Sequence, residues 1–302
     1  EPTLRKYISE EPEIRVRLRR MLVSLAGRSS PLAVVLDNLE TLQDLRTLEV
    51  APEHEESLWL VRTVCGLKAP TRVLLTGRYT LPDRIDAPIH RFPVGEAPYA
   101  DVLRRMRRLQ WPADMDAGKK RWVYSVLGGN HRAIEWAAQL LTDGGARTDD
   151  LMAALDSVEI PDDTPEAAVS AVAEAMRQNL LFSQLRAQLT EAQDRLLRGA
   201  AVYRVAVNAD GLDVIDPEAA NTAGDRDRLV DYALLEAFRD RRVELTYYLV
   251  QPVVRELLGD PGFHPEWEKG LHRRMGIHHR GQGEYLTRRV DDYVEAIHHF
   301  RK

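Results

Sequence analysis

The residues best placed for chemistry are acidic groups delivered at the end of an apolar run. Leu32-Ala33-Val34-Val35-Leu36 is short, uninterrupted and β-branched; it follows the punctuation of Gly27, Ser29, Ser30 and Pro31 and ends in Asp37, with Glu40 close behind. That pattern predicts a strand buried on both faces. In open α/β sheets ligands sit outside the carboxyl ends of the strands. A carboxylate there can hold magnesium through water, because the hard cation prefers oxygen and keeps part of its hydration shell. Asp37 is therefore the metal candidate. Glu40 is the candidate for polarising an attacking water, or else it caps the element that follows. A second run, Arg72-Val73-Leu74-Leu75-Thr76, ends in Gly77-Arg78. Were the two strands neighbours, Thr76 and Arg78 would stand beside Asp37, and the fixed donor fork of the Arg78 guanidinium would suit a terminal phosphate. Either run alone is also what any buried strand with a polar end looks like. The ordered pair carries the signal.

The elements that must position these groups follow from periodicity. Ile14, Leu18, Met21, Leu22 and Leu25 recur at helical spacing within Glu13 to Leu25. A helical stretch near Glu56 to Leu67 joins the two strands, which makes a parallel pair with a helical crossover the economical topology. A third, weaker strand is expected from Pro88 to Val94, after which the pattern turns helical. Two or three helices fill Tyr99 to Leu141, the last from about Asn130 and closed by Gly144-Gly145. Pro161 to Pro165 reads as a linker, or as a helix entry with Thr164 as cap and Pro165 at the first helical position. Helices over Ala167 to Leu185, Glu191 to Ala201 and Asp225 to Glu236 precede a strand from Val243 to Val250, which suggests a winged helix. The tail from Pro265 to Lys302 returns to helix. The fold class is thus α/β followed by mostly α.

Composition bounds the partners. At 302 residues the chain exceeds what one ordinary core organises, and 44% hydrophobic with 29% charged residues is the balance of a folded, soluble protein. A formal net charge of -5 provides no global basic excess for nucleic acid. Cys65 is the single cysteine, and neither a signal segment nor an apolar run of spanning length is present, so a cytoplasmic location without membrane attachment is expected. The first residue is Glu1 rather than methionine, and the chain is expected to be part of a longer protein.

The two strand motifs, with two stations downstream, resemble the STAND class of P-loop ATPases, which includes the NB-ARC proteins of plant resistance and apoptosis and their bacterial relatives. The run ending in Asp37 is similar to that class's Walker B strand, and Thr71 to Arg78 to its sensor strand, whose arginine senses the terminal phosphate. Leu127-Gly128-Gly129-Asn130-His131-Arg132-Ala133-Ile134-Glu135 is similar to its helical-lid motif, where a proline packs near adenine; His131 stands in that place here. Leu189 to Tyr203, then Tyr247-Tyr248-Leu249-Val250-Gln251-Pro252-Val253-Val254-Arg255, resemble the winged-helix domain and its closing motif. There the family's histidine touches the β-phosphate of bound ADP, and this chain has Gln251, an uncharged hydrogen-bonding substitute.

The resemblance spans roughly residues 14–258. It implies a partial nucleotide-binding α/β domain over 1–98 with part of a parallel P-loop NTPase sheet, a helical lid domain over 99–160, a winged-helix domain over 161–262, and a helical tail over 263–302 that begins a TPR-like array. It implies ATP or ADP with Mg2+, bound through Asp37 as metal ligand, Asp37 and Glu40 as catalytic groups, and Thr76, Arg78, Gly129, His131 and Gln251 as nucleotide contacts. The implied activity is slow ATP hydrolysis in a defence-type signalling switch, where exchange of ADP for ATP permits self-oligomerisation and activates an effector. Implied partners are further copies, an upstream effector domain and downstream sensor repeats. The large departure is that no Gly-x-x-x-x-Gly-Lys-Ser/Thr loop occurs in the sequence. That loop cradles phosphate with successive backbone N–H groups. Its absence makes tight ATP binding by this chain alone doubtful, and its supply by a preceding segment or another chain is the simplest expectation.

Other clusters have plainer readings. His272, His278, His279, His298 and His299 lack cysteine or carboxylate spacing for a metal and are expected on a helical solvent face. Arg104, Arg105, Arg107 and Arg108 read as a solvated helix face with local salt bridges. The rival functions are a transcription regulator gated by the ATPase part, for which Arg226 to Glu236 offers only Arg226 and Arg228 beside Asp225, Asp227, Asp231 and Glu236, and a nucleotide-free scaffold.

Overall fold

A computed structural model describes the chain apart from residues 1–12, 27–31, 45–48, 68–70, 78–88, 93, 95, 113–114, 143–144, 162–163, 165, 167–168, 220, 242, 261 and 288–289. The fold is mostly helical, with a small parallel sheet and a small antiparallel sheet. The chain divides into two units, Glu1–Val94 with Ile160–Val172, and Gly95–Glu159 with Ala173–Lys302.

In the first unit, α1 (Ile14–Ala26) precedes β1 (Ala33–Leu36), a 3-10 turn (Leu39–Leu42), α2 (Glu55–Cys65) and β2 (Arg72–Leu75). Glu55 and Glu56 occupy the first turn of α2, where carboxylates complement the helix dipole, and Leu58, Val61 and Val64 form its buried stripe. The two strands pair in parallel with Val34 opposite Val73 and Leu36 opposite Leu75. Leu36 and Leu75 pack against the core of Leu39, Val50, Leu58 and Val61. Burial alternates along both strands. Val35 and Leu74, opposite one another, are 59% and 58% exposed on the other face. The expected burial on both faces therefore holds for one face only.

The strand expected over 88–94 does not form in its described residues, and Phe92 and Val94 stand in solvent. Pro88 and Pro93 bracket the segment. A proline cannot donate to a ladder, so the run has N–H groups only from Ile89 to Phe92 and at Val94.

In the second unit α3 (Tyr99–Arg108), α4 (Ala117–Leu127), α5 (His131–Thr142) and α6 (Thr148–Asp156) are followed by α7 (Val169–Arg186), whose first residues belong to the other unit, and α8 (Glu191–Val202). Strand β3 (Val207–Asn208), α9 (Ala209–Asp213), α10 (Thr222–Asp231), β4 (Glu236–Asp240), β5 (Leu245–Leu249) and α11 (Pro252–Leu258) come next. The chain then forms α12 (Pro265–Gly281), a π turn (Gln282–Thr287) and α13 (Val290–Phe300). Side chains set many of the starts. Asp116 accepts from the Lys119 N–H at 2.7 Å, Thr190 and Gln193 form a capping box on α8, and Asn208 and Asn221 cap α9 and α10. The antiparallel sheet has the order β3-β5-β4. One core runs from Val102, Ile134 and Trp136 through Leu181, Leu197 and Tyr203 to Val254, Leu271 and Met275.

One boundary differs from the sequence pattern. The helix expected to reach Glu236 stops at Asp231, and Glu236 opens β4. Ala233 takes a left-handed φ of 53°, and the Leu234 and Leu235 N–H groups both turn back to the Leu229 carbonyl. This tight exit ends the helix where apolar periodicity alone does not. Of the segment read as a linker or as a helix entry at Thr164, Pro165 and residues 167–168 lie outside the described residues, and α7 begins at Val169.

Gly199 allows α8 to lie against the segment after α9, since a Cβ there would sit 2.3 Å from Ile215 Cγ2. Replacing Gly199 with Ala should lower unfolding stability by about 1–3 kcal/mol through overpacking, read as a reduced urea midpoint. An unchanged midpoint would mean that α8 can move off Ile215.

Candidate functional site

Parallel pairing brings the ends of β1 and β2 to one edge. The Thr76 hydroxyl donates to Asp37 Oδ1 and accepts from the Asn38 N–H at 3.2 Å. The Leu39 N–H donates to the Thr76 carbonyl at 3.0 Å, and the Thr76 N–H to the Leu36 carbonyl at 2.9 Å. Asn38 turns the chain with φ 59°, ψ 47°, a left-handed conformation that Asn tolerates better than most residues. This turn carries Glu40 back over the second strand end, so that a Cβ on Gly77 would lie 3.6 Å from Glu40 Oε2. Asp37, Glu40 and Thr76 therefore share one edge, with the Asp37 residue exposed. Arg78 lies outside the described residues. The edge is an oxygen-rich surface that suits a hard cation or a hydrogen-bonding ligand. Among the described residues no group of three or more His, Cys, Asp or Glu is arranged to hold a metal ion.

The lid-motif residues lie in the second unit. Gly128 and Gly129 both have positive φ, 60° and 69°, and a Cβ on Gly129 would lie 2.9 Å from the Ala97 carbonyl oxygen. Glycine at 129 thus serves a left-handed turn and a close backbone approach together. Asn130 Oδ1 then accepts from the Arg132 and Ala133 N–H groups at 3.0 and 3.1 Å, starting α5. His131 is exposed on the first turn.

Arg132, which sequence reasoning quoted within the motif without giving it a role, organises the surroundings. Its guanidinium donates to Glu135 Oε2 at 2.8 Å, to Glu236 Oε1 at 2.8 Å and to the Ala233 carbonyl at 3.2 Å. Burial pushes its pKa down, against the pull of Glu236. Gln251 Nε2 donates to the same Glu236 oxygen, and Arg105 pairs with Glu135. Gly129 and His131 are thereby tied to Gln251 through Arg132 and Glu236, all within one unit. The missed partner was Glu236, because the pattern placed it on a helix.

Three of the five tail histidines contradict their expected place in solvent. His272, His279 and His299 are buried between α12 and α13. His272 Nδ1 and His299 Nδ1 are 2.8 Å apart, so one ring must donate and the other accept. His279 stacks on His299 with centroids 5.7 Å apart, and Tyr203 meets both rings edge-on. Tyr203 donates to the Gly211 carbonyl at 2.6 Å, and burial raises its pKa. Acidic groups rim the cluster: Glu268 is 3.8 Å from His272, Asp292 is 3.5 Å from His279, and Glu295 pairs with Arg204 at 2.7 Å. Burial nevertheless dominates. It lowers the pKa of His299 to about 3 and of His278 to about 4, and lowers those of His272 and His279. The sequence signal was present in the spacing of His272, Met275 and His279, which follows the helical period beside Leu271.

Two measurements check these assignments. Arg132→Met leaves Glu135 and Glu236 without their shared cation and should cost about 2 kcal/mol, seen as a lower denaturation midpoint; a neutral result would remove Arg132 as the organising group. For the histidines, the unfolded rings take up protons near pH 6.5, while folded His278 and His299 resist down to about 4 and about 3. The unfolded state holds more protons between those limits, so stability should fall as pH falls below about 6.5 and be flat above about 7.5. His299→Leu should make that slope shallower in urea titrations at successive pH values. An unaltered slope would show that the cluster does not set it.

No protein-family model matches the chain, and a search of curated proteins returns no match.

Proposed function

We propose that this chain is the sensing and lid portion of a signalling ATPase switch of the STAND type, in which ADP/ATP exchange controls self-assembly and activation of an effector. The observation that carries the proposal is the in-register parallel pairing of β1 and β2, which sets Asp37 beside Thr76 at the carboxyl edge. A strand-edge carboxylate next to a hydroxyl on the neighbouring strand suits recognition of a magnesium polyphosphate. The donor set fits magnesium: the groups are oxygens, and one carboxylate is enough for an ion that keeps several waters and takes other ligands from phosphate. Asp37 would hold the ion, which would neutralise phosphate charge. Glu40, at the same edge, would orient the attacking water.

The exposed sheet face supports the same reading. Parallel sheets occur almost only with both faces covered, and Val35 and Leu74 stay more than half exposed on theirs. A further stretch of polypeptide, preceding this one or in a partner, is proposed to complete the sheet and supply the phosphate loop. In the second unit, α8, β3, α9, α10 and the β4–β5 hairpin, with β3 paired to β5, follow the order of a winged helix. Helices α3 to α6 correspond to the lid, and α12 with α13 to the start of a repeat array. Gln251 gives one amide N–H to Glu236, which leaves its second N–H for an ADP contact.

The DNA-reading alternative finds little support in α10. Arg226 lies over the Tyr248 ring at 5.1 Å, and Arg228 donates to the Tyr232 hydroxyl at 2.6 Å, so both cations serve packing.

In protein that includes the phosphate-loop segment, ADP should persist through gentle purification, and ATP should drive oligomerisation visible by light scattering. Asp37→Ala should abolish that assembly. Assembly that proceeds unchanged in the variant, or protein purified free of nucleotide, would favour a scaffold that keeps the fold without the chemistry.

A further inference from the structure

A cavity lies between α3 and the start of α4. On α3, Tyr99, Leu103, Met106 and Arg107 share one helix face and line it. Past the end of α3, Gln110 takes a left-handed φ of 53° and the Trp111 N–H turns back to the Met106 carbonyl at 3.4 Å, which keeps the buried Trp111 beside the same helix as a further wall. Lys120 lines the cavity from the first turn of α4. The volume is about 320 Å³, at the lower end of the roughly 300–1,000 Å³ of small-molecule sites. Tyr99 is steadied by Tyr124, with ring centroids 5.2 Å apart, and by the Arg121 guanidinium 5.9 Å from its ring. The walls are therefore aromatic and apolar, and the charge on them is positive.

Neighbouring cations have their own partners: Arg104 pairs with Asp101, Arg105 with Glu135 and Lys119 with Asp149. Arg107 and Lys120 pair with no described acid, and no acidic residue lines the cavity. From Arg107 to Arg121 the sequence sets Arg107, Arg108, Lys119, Lys120 and Arg121 against Asp114 and Asp116 alone, so adjacent acids do not balance the cations. Asp116 is engaged as the cap of α4, accepting from the Lys119 N–H at 2.7 Å. The start of α4 adds the positive end of a helix dipole. We infer that this cavity binds a small aromatic carboxylate, its ring against Tyr99 and Trp111 and its carboxylate held by Arg107 and Lys120. The guanidinium offers a fork that matches two carboxylate oxygens, and the ammonium adds a point charge. A neutral ring would leave both cations unanswered, and an inorganic anion would leave the aromatic walls wet. None of Gly129, His131 and Gln251 lines the cavity, so the site is separate from the proposed nucleotide contacts.

Naphthoate is the probe, titrated into the chain while the indole N–H resonances are followed by NMR, that of Trp111 being the one lost in Trp111→Phe. The Trp111 resonance should shift saturably, with a dissociation constant on the order of 0.1–1 mM, while those of Trp59 and Trp136 stay in place. Naphthalenemethanol, which has the ring without the charge, and inorganic phosphate should each bind about tenfold more weakly or worse. Arg107→Met and Lys120→Met should each raise the dissociation constant about fivefold to tenfold. Arg108→Met, which removes an adjacent exposed cation that does not line the cavity, should leave it unchanged. Should Lys120→Met disturb α4, Arg107→Met decides, since Arg107 is exposed and unpaired. No saturable shift, equal binding of the neutral ring, or a loss in Arg108→Met as large as in Arg107→Met would each overturn the inference.

Discussion

The register between β1 and β2 is the constraint on which the functional reading depends. It matches Leu36 with Leu75, so that the next residue of each strand, Asp37 and Thr76, emerges at the same height and on the same edge. A slip of one residue would invert which side chains meet the α2 core and would carry the Asp37 carboxylate away from the Thr76 hydroxyl. The register is held by the apolar pairing of Leu36 and Leu75 over Leu58 and Val61, and by the hydrogen bonds of Thr76 with Leu36 and Leu39. Chemistry at the edge is therefore a consequence of packing beneath it.

The second unit distributes its polar groups differently. Two polar systems lie within or beside its core: the Arg105–Glu135–Arg132–Glu236–Gln251 chain and the imidazole cluster around Tyr203. Such groups are costly to bury without partners. The first system is answered by opposite charge, which holds the beginning of α5 to the β4 strand and the start of α11. The second is answered by neutrality, with burial keeping the rings unprotonated at ordinary pH. One arrangement resists separation of helices; the other makes the α12–α13 pair sensitive to acid.

Legibility in the sequence followed the kind of signal. The apolar runs at 33–36 and 72–75 were readable because β-branched and leucine residues sit between turn residues, and their parallel pairing followed from the helical crossover. Helix starts with a side-chain cap, such as Asn130 before α5 and Thr190 before α8, were also readable within a residue or two. What escaped reading was decided by long-range geometry. Alternating exposure of Val35 and Leu74 depends on what covers the sheet, which no local pattern encodes. Glu236 passed for the last residue of a helix because the left-handed turn at Ala233 has no glycine to announce it. The histidines passed for surface residues because imidazole counts as polar, although His272 and His279 keep step with Leu271 and Met275 on the buried face of α12. At the candidate site, Asp37, Glu40 and Thr76 could be named from sequence, while the Arg132–Glu236 tie could not.

The most direct measurement is paramagnetic relaxation by manganese with ATP, which detects weak binding and stands in for magnesium. Selective broadening of the Asn38 and Gly77 amide resonances is expected, lost on Asp37→Ala while the spectrum of the α2 core is retained. Broadening that ignores Asp37, or that appears elsewhere with the strand edge untouched, would contradict a polyphosphate site at the ends of β1 and β2.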